Sequence, residues 1–239
     1  MLRRFAVFAA ACLTAFSNAQ AQDGDLPDGS VYQQLGPCQL FPQPDQRRLY
    51  VQANLVSGVS DFSSFGGSGL LEATLLGKDE DVLFGAGGAI GLMCDYDEHR
   101  CRCELEAMGF QNNHYSILGT DGFNFFILPA KLQQSTLMGN LWYDRTISDT
   151  LNLFVGGGLG GADIDMAVNT GGSTSYGGAT NFAWQVGGGV TRKISSDLEL
   201  DLGYRYLDCG DVHAFIPGGD VSTDVHSHEV MLSLRWYVW

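Results

Sequence analysis

His226-Ser227-His228-Glu229 is a dense run of chemically capable side chains in this sequence. Two imidazoles two residues apart share one face of an extended chain. Such a pair could hold zinc or copper if a third ligand converged from Asp211, His213, Asp220 or Asp224. A serine beside a histidine and an acid is also the raw material of a hydrolase, provided geometry brings the three together. In an extended chain, however, Ser227 alternates to the face opposite both histidines. Spacing fixes no third metal ligand. We therefore expect no catalytic residue, no metal site and no cofactor, and read the chain as non-enzymatic. Gly156-Gly157-Gly158-Leu159-Gly160-Gly161 formally matches G-x-G-x-x-G. A dinucleotide site would need a helix to begin there and offer its amides to the pyrophosphate. The stretch instead runs through a strand pattern into a polar segment, where glycine eases curvature or makes room in a narrow interior.

The charged residues form a second constellation. Arg102, Glu104 and Glu106 oppose Cys103, Leu105 and Ala107. Glu199, Asp201 and Arg205 oppose Leu198, Leu200, Leu202, Tyr204 and Tyr206. Glu229, Ser233 and Arg235 oppose Val230, Leu232, Leu234 and Trp236. This period of two puts all eight charges on one side of extended segments. Sharing an interior, they could line an ion path or neutralise one another in a packed network. The network is the expectation, with Arg205 as the main counter-charge of Glu104, Glu106, Glu199 and Asp201. Five of the six cysteines lie beyond residue 21. Cys94 and Cys101 bracket a short segment and form a candidate disulfide in an oxidising compartment. Cys38 is an alternative partner, and the odd count leaves one thiol over.

The elements that must position these residues follow from the same alternation. Arg3, Arg4, the apolar run 5–16 and Ala19-Gln20-Ala21 read as an export signal over 1–21. Residues 22–47 are polar and carry Pro27, Pro37, Pro42 and Pro44, which suggests an extended periplasmic tail. Without the signal the chain keeps 11 basic against 27 acidic residues, a net charge of −16. That repels polyanions and argues against nucleic-acid binding. Beyond the signal no apolar run approaches the roughly 18 residues of a membrane helix. Residence in a membrane would therefore require strands closed into a barrel, which leave no backbone group unpaired. Eight alternating segments, at 49–57, 82–92, 102–111, 135–144, 151–161, 182–192, 198–207 and 229–238, are each near the roughly 9–11 residues such a strand needs. Connections of alternating length follow them. Those at 58–81, 112–134, 162–181 and 208–228 are long, and those at 93–101, 145–150 and 193–197 short, as expected for outer loops and periplasmic turns. The outer loops are acidic, Asp79-Glu80-Asp81 included, and read as solvated surface. Phe84, Phe182, Tyr204 and Tyr206 fall towards the outer rim, Tyr143 and Trp236 towards the periplasmic rim, as interfacial girdles do. Trp184 sits deeper. The spacing thus predicts an all-β, eight-stranded antiparallel up-and-down transmembrane barrel over 48–239.

Arg102-Cys103-Glu104-Leu105-Glu106, Leu141-Trp142-Tyr143-Asp144, Phe182-Ala183-Trp184-Gln185-Val186-Gly187 and Leu202-Gly203-Tyr204-Arg205-Tyr206 resemble stretches of small OmpA-like and opacity-type outer-membrane barrels. The resemblance covers about residues 49–239. It implies a protein of the Gram-negative outer membrane. Its expected partners are membrane lipid, lipopolysaccharide and the barrel assembly machinery, together with an extracellular ligand met through the loops. The leading expectation is a structural envelope component that presents surface loops as an adhesin or surface antigen. The alternatives are a narrow passive porin-like channel, which the acid excess would make cation-preferring, and an outer-membrane lipid A hydrolase.

Overall fold

The computed structural model describes residues 47–69, 72–75, 82–96, 99–120, 125–169, 172–216 and 219–238. The signal, most of the tail, Cys38, the acidic triplet 79–81 and the side chain of Asp220 lie outside what is described. The strands are β1 (Arg47–Gly69), β2 (Glu72–Leu75), β3 (Val82–Tyr96), β4 (His99–Phe110), β5 (Asn113–Thr120), β6 (Phe125–Ser148), β7 (Leu151–Asn169), β8 (Thr174–Lys193), β9 (Leu198–Ile216) and β10 (Gly219–Tyr237). Eight of them form a closed antiparallel ring in the order β6-β4-β3-β1-β10-β9-β8-β7, with β7 pairing back onto β6. The two short strands extend the outer end: β5 continues the line of β4 along β6, and β2 adds to β5.

Side chains alternate between a buried lumen and an exposed outer wall. Along β4, Arg102, Glu104, Glu106 and Met108 are buried while Cys103, Ala107 and Gly109 are exposed. The outer wall carries Leu55, Ile90, Leu141, Leu159, Leu202, Leu232 and Leu234, all largely exposed. Large apolar side chains exposed on seven of the eight barrel strands would be unfavourable in water. They suit a hydrocarbon surround. Among the described residues no helix is long and apolar enough to cross a membrane; the strands are the spanning elements.

The strands run further than alternation alone suggests. The outer segments read as long loops are largely ladder. Pairing of β6 with β7 climbs from Ser148/Leu151 to Ala130/Val168. Pairing of β9 with β10 continues to Ile216/Gly219. Residues 113–120 pair with residues 125–132 as β5 against the outer part of β6. At the other end the connections expected to be short are shorter still: β3 ends at Tyr96 and β4 starts at His99, and the others are 149–150 and 194–197. The Gly156–Gly161 run lies inside β7, paired on both sides, so no helix follows it.

The extra length gives the interior two storeys. The lower is polar, with all eight predicted lumen charges at 7% exposure or less. The upper is mainly apolar, with Asn113, Gln134 and Thr223 buried among its apolar side chains. Leu128, Leu132, Ile164, Met166, Val212 and Val225 are buried there in one cluster with Leu207 and Phe110. Glycine makes room where large side chains cross the lumen: a Cβ at Gly91 would strike the ring of Tyr50, and one at Gly158 the amide of Asn140.

Candidate functional site

The lower lumen holds the predicted charges in three arginine-centred groups. Arg205, on β9, donates from Nε to Glu229 Oε2 at 2.6 Å and from Nη1 to Glu106 Oε1 at 2.7 Å and Gln185 Oε1 at 3.0 Å. Glu106 also accepts from Asn54 Nδ2 at 2.9 Å, and Glu229 from Ser227 Oγ at 2.7 Å. Arg235, on β10, donates to Glu199 Oε2 at 2.9 Å, to Asp201 and to Gln52 Oε1 at 3.1 Å. Tyr237 donates its hydroxyl to the same Glu199 oxygen at 2.8 Å, and Thr191 donates to Asp201 at 2.7 Å. Arg102, on β4, grips Asp144 through two bonds of 2.8 Å, the planar fork matching the carboxylate.

Glu104 is held differently. It accepts from Tyr50 Oη at 2.8 Å, Trp142 Nε1 at 2.8 Å and Asn140 Nδ2 at 3.0 Å, all neutral donors. Arg205 is thus not the shared counter-charge that alternation suggested. It serves Glu106 and Glu229, while Glu199 and Asp201 meet Arg235, with Arg100 also at Glu199 and Arg102 3.6 Å from Asp201. The reason is register: Arg235 lies directly opposite Glu199, and Arg205 directly opposite Glu229, on the β9–β10 ladder. Sequence reasoning also left out Asp144, Tyr50, Asn140 and Gln185. Asp144 was within reach, because Trp142 and Asp144 alternate with Leu141 and Tyr143. The neutral members carry no comparable signal.

Two consequences follow for the lumen. β4 and β9 stand on opposite sides of the ring, yet Arg205 touches Glu106. Side chains therefore span the full interior, as an eight-stranded barrel allows. Six buried carboxylates, at 104, 106, 144, 199, 201 and 229, face three buried arginines. Arg100, partly buried, adds a fourth cation by reaching Glu199 at 2.9 Å. The interior stays acidic.

The remaining candidates separate. Ser227 is buried and bound to Glu229. His228 lies on the outer wall, where its Nδ1 meets Tyr204 Oη at 2.5 Å. His226 and His228 both pack against Tyr206, which also packs against Trp184. The serine and the imidazoles thus face opposite sides of the wall, and the hydrolase arrangement does not form. Tyr143 and His99 make a matching pair at the other rim, also at 2.5 Å. Among the described residues no group of three or more histidine, cysteine or acidic side chains is placed to hold a metal. Cys94 and Cys101 are direct partners on the β3–β4 hairpin, and both thiols are free in this structure.

A closed ring of eight strands, apolar outside and polar within, defines an outer-membrane barrel. The family model described as outer membrane protein beta-barrel domain matches residues 8–235, and the chain belongs to that family. It resides in the outer membrane. Similar solved structures include the Neisserial surface protein NspA, with 17% identity, TM-score 0.43, and 79% of this chain and 96% of that one covered. OprG from Pseudomonas aeruginosa shows 13% identity, TM-score 0.48 and coverage of 79% and 94%. Ail of Yersinia pestis shows 9% identity, TM-score 0.37 and coverage of 77% and 98%. No curated protein matches the sequence.

Proposed function

We propose that this chain is a structural, non-enzymatic component of the outer membrane that holds its outer hairpins up as an adhesin or surface antigen. The observation that carries this reading is the filled lumen. Ion-paired side chains meet across the lower storey, and an apolar cluster closes the upper one. An interior packed in this way stiffens the wall. The ladders continuing past the apolar belt then act as stalks for the connections at their ends. Its lateral partners are lipid and lipopolysaccharide, and the barrel assembly machinery inserts it. Purified protein in planar bilayers should show no stepwise conductance, while cells displaying it should bind a host-cell or matrix surface more than cells lacking it. Discrete channels in the wild-type protein would overturn the reading.

The acid excess favours a second reading, a narrow cation-preferring channel. Its signature would be conductance that prefers potassium to chloride and rises when Arg205 is removed.

A further inference from the structure

Among the described residues the wall's ladder stops early between β8 and β9, at Trp184/Asp208, and again between β3 and β4. Pairing of β3 with β4 ends at Gly85/Phe110, whereas β1 and β10 stay paired to Gly69/Gly219. Above that point β5 turns its free side to β2 rather than to β3. Across this seam Gln111 reaches the upper end of β3. Its backbone N–H donates to Phe84 O at 2.8 Å, and its side-chain amide to Val82 O at 3.0 Å.

A cavity of about 690 Å³ lies at the foot of this seam. Two rungs of the outer wall shape it. The lower runs through Leu232, Leu55, Ala86 and Gly109, direct partners from strand to strand. Side-chain size falls along it from leucine to nothing, and a Cβ at Gly109 would meet no atom within 4 Å. Above it, Phe84 forms an exposed wall. Strand tilt makes the lower rung climb. On β10 it starts at Leu232, midway between Trp236 and His228; on β4 it ends at Gly109, one residue short of the strand end. The hollow therefore rises obliquely from mid-membrane towards the outer headgroups, where the polar Gln111 waits. Phe110 and Val56 belong both to its lining and to the upper apolar cluster, so hollow and interior share one hydrophobic surface.

We propose that this groove is a binding site for a single alkyl chain of a membrane amphiphile, whose polar end sits beside Gln111. The apolar lining selects a hydrocarbon, and the surrounding membrane supplies it. The groove's volume is in the range of small-ligand sites. This inference concerns the wall and does not depend on whether the lumen conducts or the hairpins adhere.

Native mass spectrometry of the folded barrel tests it, with palmitic acid and a diacyl phosphatidylethanolamine as separate probes. Wild-type protein should saturate at one palmitate per barrel. Gly109→Leu and Ala86→Leu fill the floor. Each should weaken binding at least about tenfold, since apolar contact area is lost, while heat-modifiable migration stays normal. Phe84→Ala removes the wall instead and should also weaken binding, which covers the case of a filled variant that does not close. Leu159→Ala, on β7, should change nothing. Saturable retention of phosphatidylethanolamine as well would identify a membrane lipid as the source; palmitate alone would identify a free amphiphile. Equal binding by wild-type and filled, folded variants would overturn the proposal, as would a ladder of adducts that never saturates or no retention of either probe.

Discussion

Arg205→Ala is the sharpest test of the lumen. Arg205 is fully buried and neutralises Glu106 and Glu229, which are 2% and 0% exposed. Alanine leaves two carboxylates in a site water scarcely reaches, each retaining one neutral donor, Asn54 or Ser227. Removing one partner of a buried pair costs about 3–5 kcal/mol, mostly the penalty for the uncompensated charge left behind. The residual donors place the expectation at the lower end, about 3 kcal/mol. Urea unfolding in lipid vesicles, under conditions where refolding retraces unfolding, reads the difference as a shift in midpoint. Arg205→Met combined with Glu106→Gln should recover part of the loss. The coupling should lie within about 0.5–3 kcal/mol, because the two residues touch. An unchanged midpoint in Arg205→Ala would show that water already reaches the site, and would refute the sealed interior.

Other outcomes follow from the same geometry. Glu104→Gln should cost about 1 kcal/mol or less, since three neutral donors and no arginine hydrogen bond hold Glu104; the same unfolding series measures it. Leu202→Arg, on the membrane-facing wall, should lower folded yield in vesicles through a cost of about 2–4 kcal/mol, while Ser173→Arg between β7 and β8 should fold normally. Peptide mapping of unreduced protein from the envelope should find Cys94 linked to Cys101, whose positions face each other across the hairpin; two free thiols would remove that expectation. Beyond the membrane, a hydrogen bond with Asp224 and the nearness of its charge push the Asp211 carboxyl above its ordinary range. A raised acid contributes stability that is present at low pH and lost as pH climbs through the raised value. Amide protection factors at the outer end of β9 and β10, corrected for the base-catalysed intrinsic rate, should therefore be larger in mild acid than at neutrality.

The sequence was legible where one physical rule acted alone. Alternation between lipid and lumen located all eight barrel strands and placed Arg102, Glu104, Glu106, Glu199, Asp201, Arg205, Glu229 and Arg235 on one face. It could not apportion them. Which acid meets which arginine depends on cross-strand register, and register is invisible until strands are paired: Arg235 faces Glu199 only because Leu234 faces Leu200. Alternation was also overridden by polarity in the outer segments. Residues 162–181 are rich in glycine, serine and threonine and read as loop, yet Ile164, Met166 and Val168 point inwards at every second position and carry β7 upwards. The apolar storey was missed for that reason.

The bond between Arg205 and Glu106 joins residues 99 positions apart, and that span bears on how the barrel is made. A contact so distant in sequence cannot form until the chain between has been threaded into place. Until the ring closes, a half-built sheet would present bare carboxylates and guanidinium groups to hydrocarbon, at a cost of kilocalories for each charge. Partial barrels are therefore poor resting states. Closure and charge neutralisation become one event, so the network acts as a completeness check that only a chain with both β4 and β9 in position can pass.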